Sequence, residues 1–203
     1  NLTMDHGFGA FDVVHKGKKY AHLELSIPGM HNVKNALAAA AAAIALGVPG
    51  RAAEDGMRDF RLPGRRFEYK GMFNGAEVCD DYAHHPAELA ALLDTAAALD
   101  FKRVICAFQP HTYSRTHELF DDFVRVLKRP AVTLLAEIFA AREDNDVGIS
   151  SADLAAKIPG SVFCPTLEDV TAKLKRLAQP GDLILTVGAG DIYLAGEALV
   201  KEE

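Results

Sequence analysis

Val78-Cys-Asp-Asp-Tyr-Ala-His-His-Pro-Ala-Glu88 changes character halfway along its length. Ala76 to Cys79 is apolar and strand-like, and two carboxylates, a phenol and two adjacent imidazoles follow it directly. Pro86 then suits the first turn of a helix, where its fixed φ helps and its missing N–H is not needed. Leu89, Leu92, Leu93, Ala96 and Leu99 recur at i, i+3, i+4, i+7 and i+10, the stripe of a helix laid on a sheet. Polar chemistry therefore falls where a strand's C-terminal end meets a helix N-terminus. In open α/β sheets that is where ligands bind.

Working outward toward the C-terminus, the pattern stays regular. Val104 to Phe108 is a continuous apolar run, as expected of a strand buried on both faces. A helix is expected from about Arg115, with Leu119, Phe120, Phe123, Val124 and Leu127 on one side. Ala131 to Ala136, Val162 to Cys164 and Leu183 to Val187 read as further strands. Ser150-x-x-Asp153 and Thr166-x-x-Asp169 read as capping boxes opening two helices, and Ile192 to Val200 as the last helix. Strands alternating with helices predict an α/β fold, a Rossmann-like, mostly parallel sheet covered by helices on both faces.

Toward the N-terminus the signals are weaker. Phe11 to His15 and Tyr20 to Ile27 read as short strands around Lys16-Gly-Lys-Lys19. The alanine-rich stretch His31 to Leu46 is strongly helix-forming, and Arg51 to Phe60 makes a second, shorter helix. Arg61-Leu-Pro-Gly-Arg-Arg66 is a Pro/Gly break. Charge changes sign there: residues 1–66 hold nine Lys/Arg against six Asp/Glu, and residues 67–203 thirteen against twenty-two. The boundary is placed between 1–64 and 65–203.

Composition excludes several classes. No basic stripe with interleaved aromatics appears, so no nucleic-acid partner is expected. Ala36 to Leu46 is too short and alanine-rich to span a bilayer, and the opening Asn-Leu-Thr-Met-Asp-His lacks the pattern of a secretory leader. Cys79, Cys106 and Cys164 are odd in number and scattered through apolar runs, the usage of a reducing compartment, so a cytoplasmic protein is expected.

Four loops should leave strands at one edge of the sheet: Asp80 to Pro86, Gln109 to Arg115, Glu137 to Arg142 and Gly188 to Asp191. They carry Asp81, His84, His85, His111, Arg115, Glu137, Arg142 and Asp191 toward one crevice. Arg115 at a helix start can grip a carboxylate or phosphate in two-pronged fashion, with His111 as a further donor. His84 and His85 suggest zinc, but adjacent residues project apart and no third ligand follows at a usual spacing. Gly188-Ala-Gly-Asp191 lacks the third glycine of a dinucleotide loop, since Tyr193 stands there. Upstream, Asn32 and Asn35 lie i, i+3 on a first helical turn, able either to read a planar base such as adenine or simply to cap the helix.

In order along the chain, Pro-Gly-x-His-Asn, Gly-Arg-Arg-Phe-Glu, Asp-Asp-Tyr-Ala-His-His-Pro, Phe-Gln-Pro-His-Thr-Tyr-Ser-Arg-Thr and Gly-Ala-Gly-Asp-Ile together resemble the Mur ligases. That family couples ATP to amide-bond formation in peptidoglycan synthesis through an acyl phosphate. The resemblance implies that 1–64 is the C-terminal part of the central ATP-binding domain and 65–203 the C-terminal, amino-acid-binding domain. It implies an ATP site at His31, Asn32, Asn35, Arg66 and Asp81, and a substrate site at Tyr82, His84, His85, His111 and Arg115. The likeness is greatest to the branch that joins L-alanine to UDP-N-acetylmuramate, with ATP and Mg²⁺ as cofactors. Many alanine-adding members have Arg where this chain has Thr112. The same-class alternative is the recycling branch that attaches a tripeptide to the same sugar nucleotide; a zinc hydrolase and a non-catalytic nucleotide-binding module are the others. No G-x-x-x-x-G-K-[ST] phosphate loop occurs in these residues. The resemblance therefore implies a C-terminal fragment, with most magnesium ligands elsewhere and no ATP hydrolysis by this stretch alone.

Overall fold

Alternating apolar runs and turn residues become two sheets in the computed structural model, which describes residues 1–201. The chain divides into two compact units, Asn1–Pro63 with Ala97–Asp100, and Gly64–Ala96 with the residues from Phe101 on.

In the first unit, β1 (Leu2–Asp5), β2 (Phe8–His15) and β3 (Lys18–Pro28) form an antiparallel sheet in that order, followed by α1 (Met30–Ala45) and α2 (Gly50–Asp59). Phe11, Val13, Leu23 and Leu25 pack with Val33, Ala36 and Ala40 of α1. The small alanines let the helix lie close on the sheet. Gly50 opens α2 where a Cβ would stand 1.9 Å from the Tyr20 carbonyl oxygen, so only glycine fits. β1 is not foreshadowed in the sequence: its four residues are all exposed and carry no inward stripe, so only its ladder with β2 defines it.

The second unit is a six-stranded sheet in the order β4-β5-β9-β6-β7-β8. Its strands are β4 (Glu68–Phe73), β5 (Ala76–Asp81), β6 (Arg103–Phe108), β7 (Val132–Ala136), β8 (Val162–Cys164) and β9 (Asp182–Val187). All pairings are parallel except the edge pair β4–β5. The helices are α3 (Pro86–Ala97), α4 (Tyr113–Glu118), α5 (Phe120–Leu127), α6 (Ser151–Lys157), α7 (Leu167–Leu177) and α8 (Tyr193–Val200). Period-two alternation sorts the strand residues between two cores. Leu183, Leu185 and Val187 of β9 face α3, α5 and α6, while Ile184 faces α7 and α8. Both sides of β9 are thus apolar, which is why it reads as a continuous hydrophobic run.

The helix expected from Arg115 is in fact two, α4 and α5, broken at Leu119. Thr116, fully buried, turns its hydroxyl back onto the Thr112 carbonyl at 2.6 Å, a bond that bends helices. Both anticipated capping boxes form, at Ser150/Asp153 and Thr166/Asp169.

Thr166 Oγ1 accepts from the Asp169 amide at 3.1 Å. Thr166→Ala should therefore lower the unfolding free energy by about 0.5–2 kcal/mol in a denaturant titration, with Thr166→Ser close to wild type. An unchanged midpoint in the alanine variant would show that this cap contributes nothing.

Candidate functional site

The parallel register aligns Asp81 with Val187, and Phe108 with both Val187 and Leu135, so the four polar loops leave the sheet at one edge. This is the arrangement the strand pattern implied. What organises the edge, however, is a residue the sequence reading passed over.

Arg65, at the start of the unit, reaches into the edge from a left-handed backbone (φ 61). Its Nε donates to the Asp80 carboxylate at 2.7 Å, Nη1 to the Gly190 carbonyl at 3.0 Å and Nη2 to the Gly188 carbonyl at 2.6 Å. The guanidinium also lies against the rings of Tyr193 at 4.6 Å and Tyr82 at 5.0 Å. Asp80 is fully buried and its second oxygen accepts from Thr186 Oγ1 at 2.8 Å. Burial pushes the Asp80 carboxyl above its ordinary value, with Arg65 and Thr186 pulling the other way. The glycine turn is shaped for this: a Cβ on Gly190 would stand 2.3 Å from Gln109 Oε1, and one on Gly188 2.6 Å from the Gln109 carbonyl. Gln109, also buried, donates to Asp191 at 2.8 Å and accepts from the Ile192 amide at 3.1 Å.

Asp81 points to the other face and takes amides on both oxygens, Phe67 N and Ala83 N, each at 2.8 Å. Each oxygen keeps a second lone pair. Burial raises this carboxyl too, opposed by those two amides. Arg66, the arginine singled out from the sequence, is exposed, its guanidinium 5.9 Å from the Tyr82 ring centroid.

Beyond Tyr82 the two histidines diverge. His84 is half-buried, its Nδ1 3.0 Å from the Tyr82 carbonyl and its ring edge-on to His111 at 6.1 Å. His85 is exposed, and its Nδ1 accepts the Ala87 amide at 3.1 Å, which caps the start of α3. Glu88 accepts both histidine amides, at 2.9 and 3.2 Å. Among the described residues no three His, Cys, Asp or Glu side chains converge as metal ligands.

His111 stacks on Phe139, rings 9° from parallel with centroids 5.6 Å apart. Arg115 Nη1 donates to the His111 carbonyl and lies 3.3 Å from His111 Nδ1. Since arginine only donates, that Nδ1 is an acceptor and the ring proton sits on Nε2. Burial first, then Arg115 and His84, hold the His111 imidazole below its ordinary value, so the ring is neutral at pH 7. Arg115 Nε and Nη2, the side-on fork of the guanidinium, make no hydrogen bond among the described residues.

The third loop and the residue just after it supply two further side chains absent from the sequence-based set. Phe139 carries the stack and its amide donates to the Pro110 carbonyl at 2.9 Å. Glu143 accepts from Thr112 Oγ1 at 2.5 Å, Ser114 Oγ at 2.6 Å and Ser114 N at 2.9 Å. Glu137 is bound locally to the Ile138 and Ser151 amides, and Arg142 is exposed. A cleft of about 280 Å³ opens on this edge, lined in part by Gln109, Glu137, Phe139, Thr166 and Asp191. In the first unit, Asn32 is buried with its Nδ2 donating to the Pro28 carbonyl at 2.7 Å, while His31 and Asn35 are exposed.

The family model described as Mur ligase, glutamate ligase domain matches residues 65–190, the unit that carries this edge. The chain belongs to the Mur ligase family. This Mur ligase chain is 43% identical to a UDP-N-acetylmuramate–L-alanine ligase of Clostridium novyi over 99% of its length, covering 45% of that protein. It is 46% identical to one of Lachnospira eligens over 94%, covering 42%. The crystal structure of a UDP-N-acetylmuramate-alanine ligase from Thermotoga maritima superposes with a TM-score of 0.80 at 26% identity, over all of this chain and 44% of that one. A murein peptide ligase from Psychrobacter arcticus gives 0.64 at 26% identity, over 98% of this chain and 43% of that one. The chain thus spans less than half the length of the curated relatives it matches. No helix among the described residues is long and apolar enough to cross a membrane.

Three hydrogen bonds hold the Glu143 carboxyl at about 2, against an ordinary value of 4.5. A carboxyl depressed in the folded state contributes stability that is present above its unfolded value and lost as pH falls through the folded one. Its window is therefore roughly pH 4.5 down to 2. A carboxyl-detected NMR titration should find Glu143 still ionised at pH 3.5, and Ser114→Ala should move its midpoint upward. A wild-type midpoint near 4.5 would show that the loop contact does not persist in solution.

Proposed function

We propose that this chain is part of an ATP-dependent ligase that joins L-alanine to UDP-N-acetylmuramate, and that its second unit holds the amino acid. The observation that carries the reading is the identity of 43% and 46% to ligases of that name over nearly the whole chain. The open fork of Arg115 beside neutral His111 on the ligand-binding edge supports it. The alanine carboxylate binds side-on to Arg115 Nε and Nη2. His111 Nε2 and His84 flank it, and Tyr82 forms the neighbouring wall. In this reading none of these groups acts as a nucleophile; the chain orients one reactant and stabilises charge.

ATP contacts are assigned to His31, Asn32, Asn35, Arg66 and Asp81. Asp81 can accept from a ribose hydroxyl with its remaining lone pairs, and the exposed Arg66 guanidinium suits a phosphate. Asn32 has one Nδ2 hydrogen engaged by Pro28, so Asn35 is the freer of the two for a base edge. Mg²⁺ accompanies ATP in this proposal, and no ligand for it is assigned among these residues. With no phosphate loop in the 203 residues, this stretch alone is not expected to hydrolyse ATP. The proposed setting is cytoplasmic, with no membrane or nucleic-acid partner.

In the full-length ligase carrying this chain, Arg115→Ala and Arg115→Lys should both raise the alanine KM by roughly a hundredfold, with the ATP KM little changed. Lysine keeps the charge but not the fork, so it should not rescue. A weakened ATP KM with an unchanged alanine KM would move Arg115 to the phosphate side and overturn the assignment.

A further inference from the structure

Thr112 is the N-cap of α4, yet its own side chain makes no capping bond there. A carboxylate from a different loop stands in its place. Glu143 gathers the Thr112 hydroxyl, the Ser114 hydroxyl and the Ser114 amide, three donors within the first turn of the helix that carries Arg115. A negative charge at that end is favourable for the helix dipole, and three donors on one carboxylate fix its position. The same loop fastens the preceding residues through the Phe139 amide and the Phe139–His111 stack. Arg115 in turn bonds back to His111. The guanidinium is held by His111, and the chain on either side of that contact, Pro110–His111 and Thr112–Ser114, is fastened by Phe139 and Glu143.

We infer that Glu143 is a positioning residue for the amino-acid substrate, setting the Arg115 fork by anchoring the start of α4. The inference rests on the reading of Arg115 as the carboxylate anchor. It also gives Thr112 a role: its hydroxyl is a donor to Glu143 and not a contact to substrate. Replacing Glu143 with the isosteric amide removes the charge: its oxygen can still accept from the Ser114 amide, but its NH2 cannot accept from the Thr112 and Ser114 hydroxyls as the carboxylate does. A weaker anchor leaves the start of α4 less firmly placed, and a displacement of about 1 Å is enough to misdirect a two-pronged contact.

The test is a double-mutant cycle in the full-length ligase carrying this chain. Glu143→Gln should raise the alanine KM roughly tenfold while kcat and the ATP KM move less than about twofold. Thr112→Val, which removes one of the three bonds, should give a smaller rise in the same direction. On an Arg115→Ala background, Glu143→Gln should add nothing, because the group it positions is gone. An unchanged alanine KM in Glu143→Gln overturns the inference, as does the same tenfold rise with Arg115 absent, which would mean a merely structural effect. If Arg115→Ala itself leaves the alanine KM unchanged, the carboxylate-anchor reading fails, and this inference with it. A rise in Arg115→Ala without one in Glu143→Gln sinks only the positioning role.

Discussion

A buried carboxylate needs a partner, and Asp80 has one in Arg65. Removing the partner of such a pair typically costs about 3–5 kcal/mol, because the remaining charge is left in a site that cannot solvate it. The pair also has a geometric consequence. Asp80 ends the central run of β5, and the Arg65 guanidinium that answers it is long enough to reach the Gly188 and Gly190 carbonyls past the end of β9. Three pieces of chain far apart in sequence are thereby tied at one point. The Tyr82 amide closes the arrangement by donating to the Arg65 carbonyl at 2.8 Å. The Asp80 and Gly188 loops begin at this knot, and Gln109 and Phe139 of the other two loops pack against its glycines.

From that knot the edge divides by chemistry. Toward Gly188 to Asp191 the contacts are buried and mutually satisfied, and the glycines there are spaces that Gln109 and Phe139 fill. Toward His84, His111 and Arg115 the groups are half-buried and keep donors to spare. A rigid inner ring supporting an outer ring with unused hydrogen-bonding capacity is what a binding site needs. The relatives named as L-alanine ligases are more than twice as long as this chain, so the edge is one wall of the site we propose.

The sheet and its edge were legible because β5, β6 and β9 are apolar runs that stop abruptly in polar residues, and because Pro86, Ser150 and Thr166 mark helix starts. Other features were not. Arg65 and Arg66 are indistinguishable as letters; only the left-handed backbone at Arg65 turns its side chain inward and leaves Arg66 exposed. Glu143 lies one residue beyond the third loop as read, and its value depends on a long-range contact that no local pattern encodes. His84 and His85 look alike in sequence, yet one faces His111 and the other caps α3. The break at Leu119, a turn beyond the Thr116 back-bond, leaves the apolar periodicity of the sequence unchanged and so does not show in it.

The most direct test of the Arg65 knot is amide hydrogen exchange on Arg65→Met. The variant keeps the apolar stem but loses all three donated bonds. Exchange at Tyr82, Gly188 and Ile192 should accelerate together, by roughly a hundredfold, while Ile105 in the middle of β6 keeps its protection. Acceleration confined to residues 65–68, with Tyr82 and Gly188 as protected as before, would show that the edge holds itself together without Arg65.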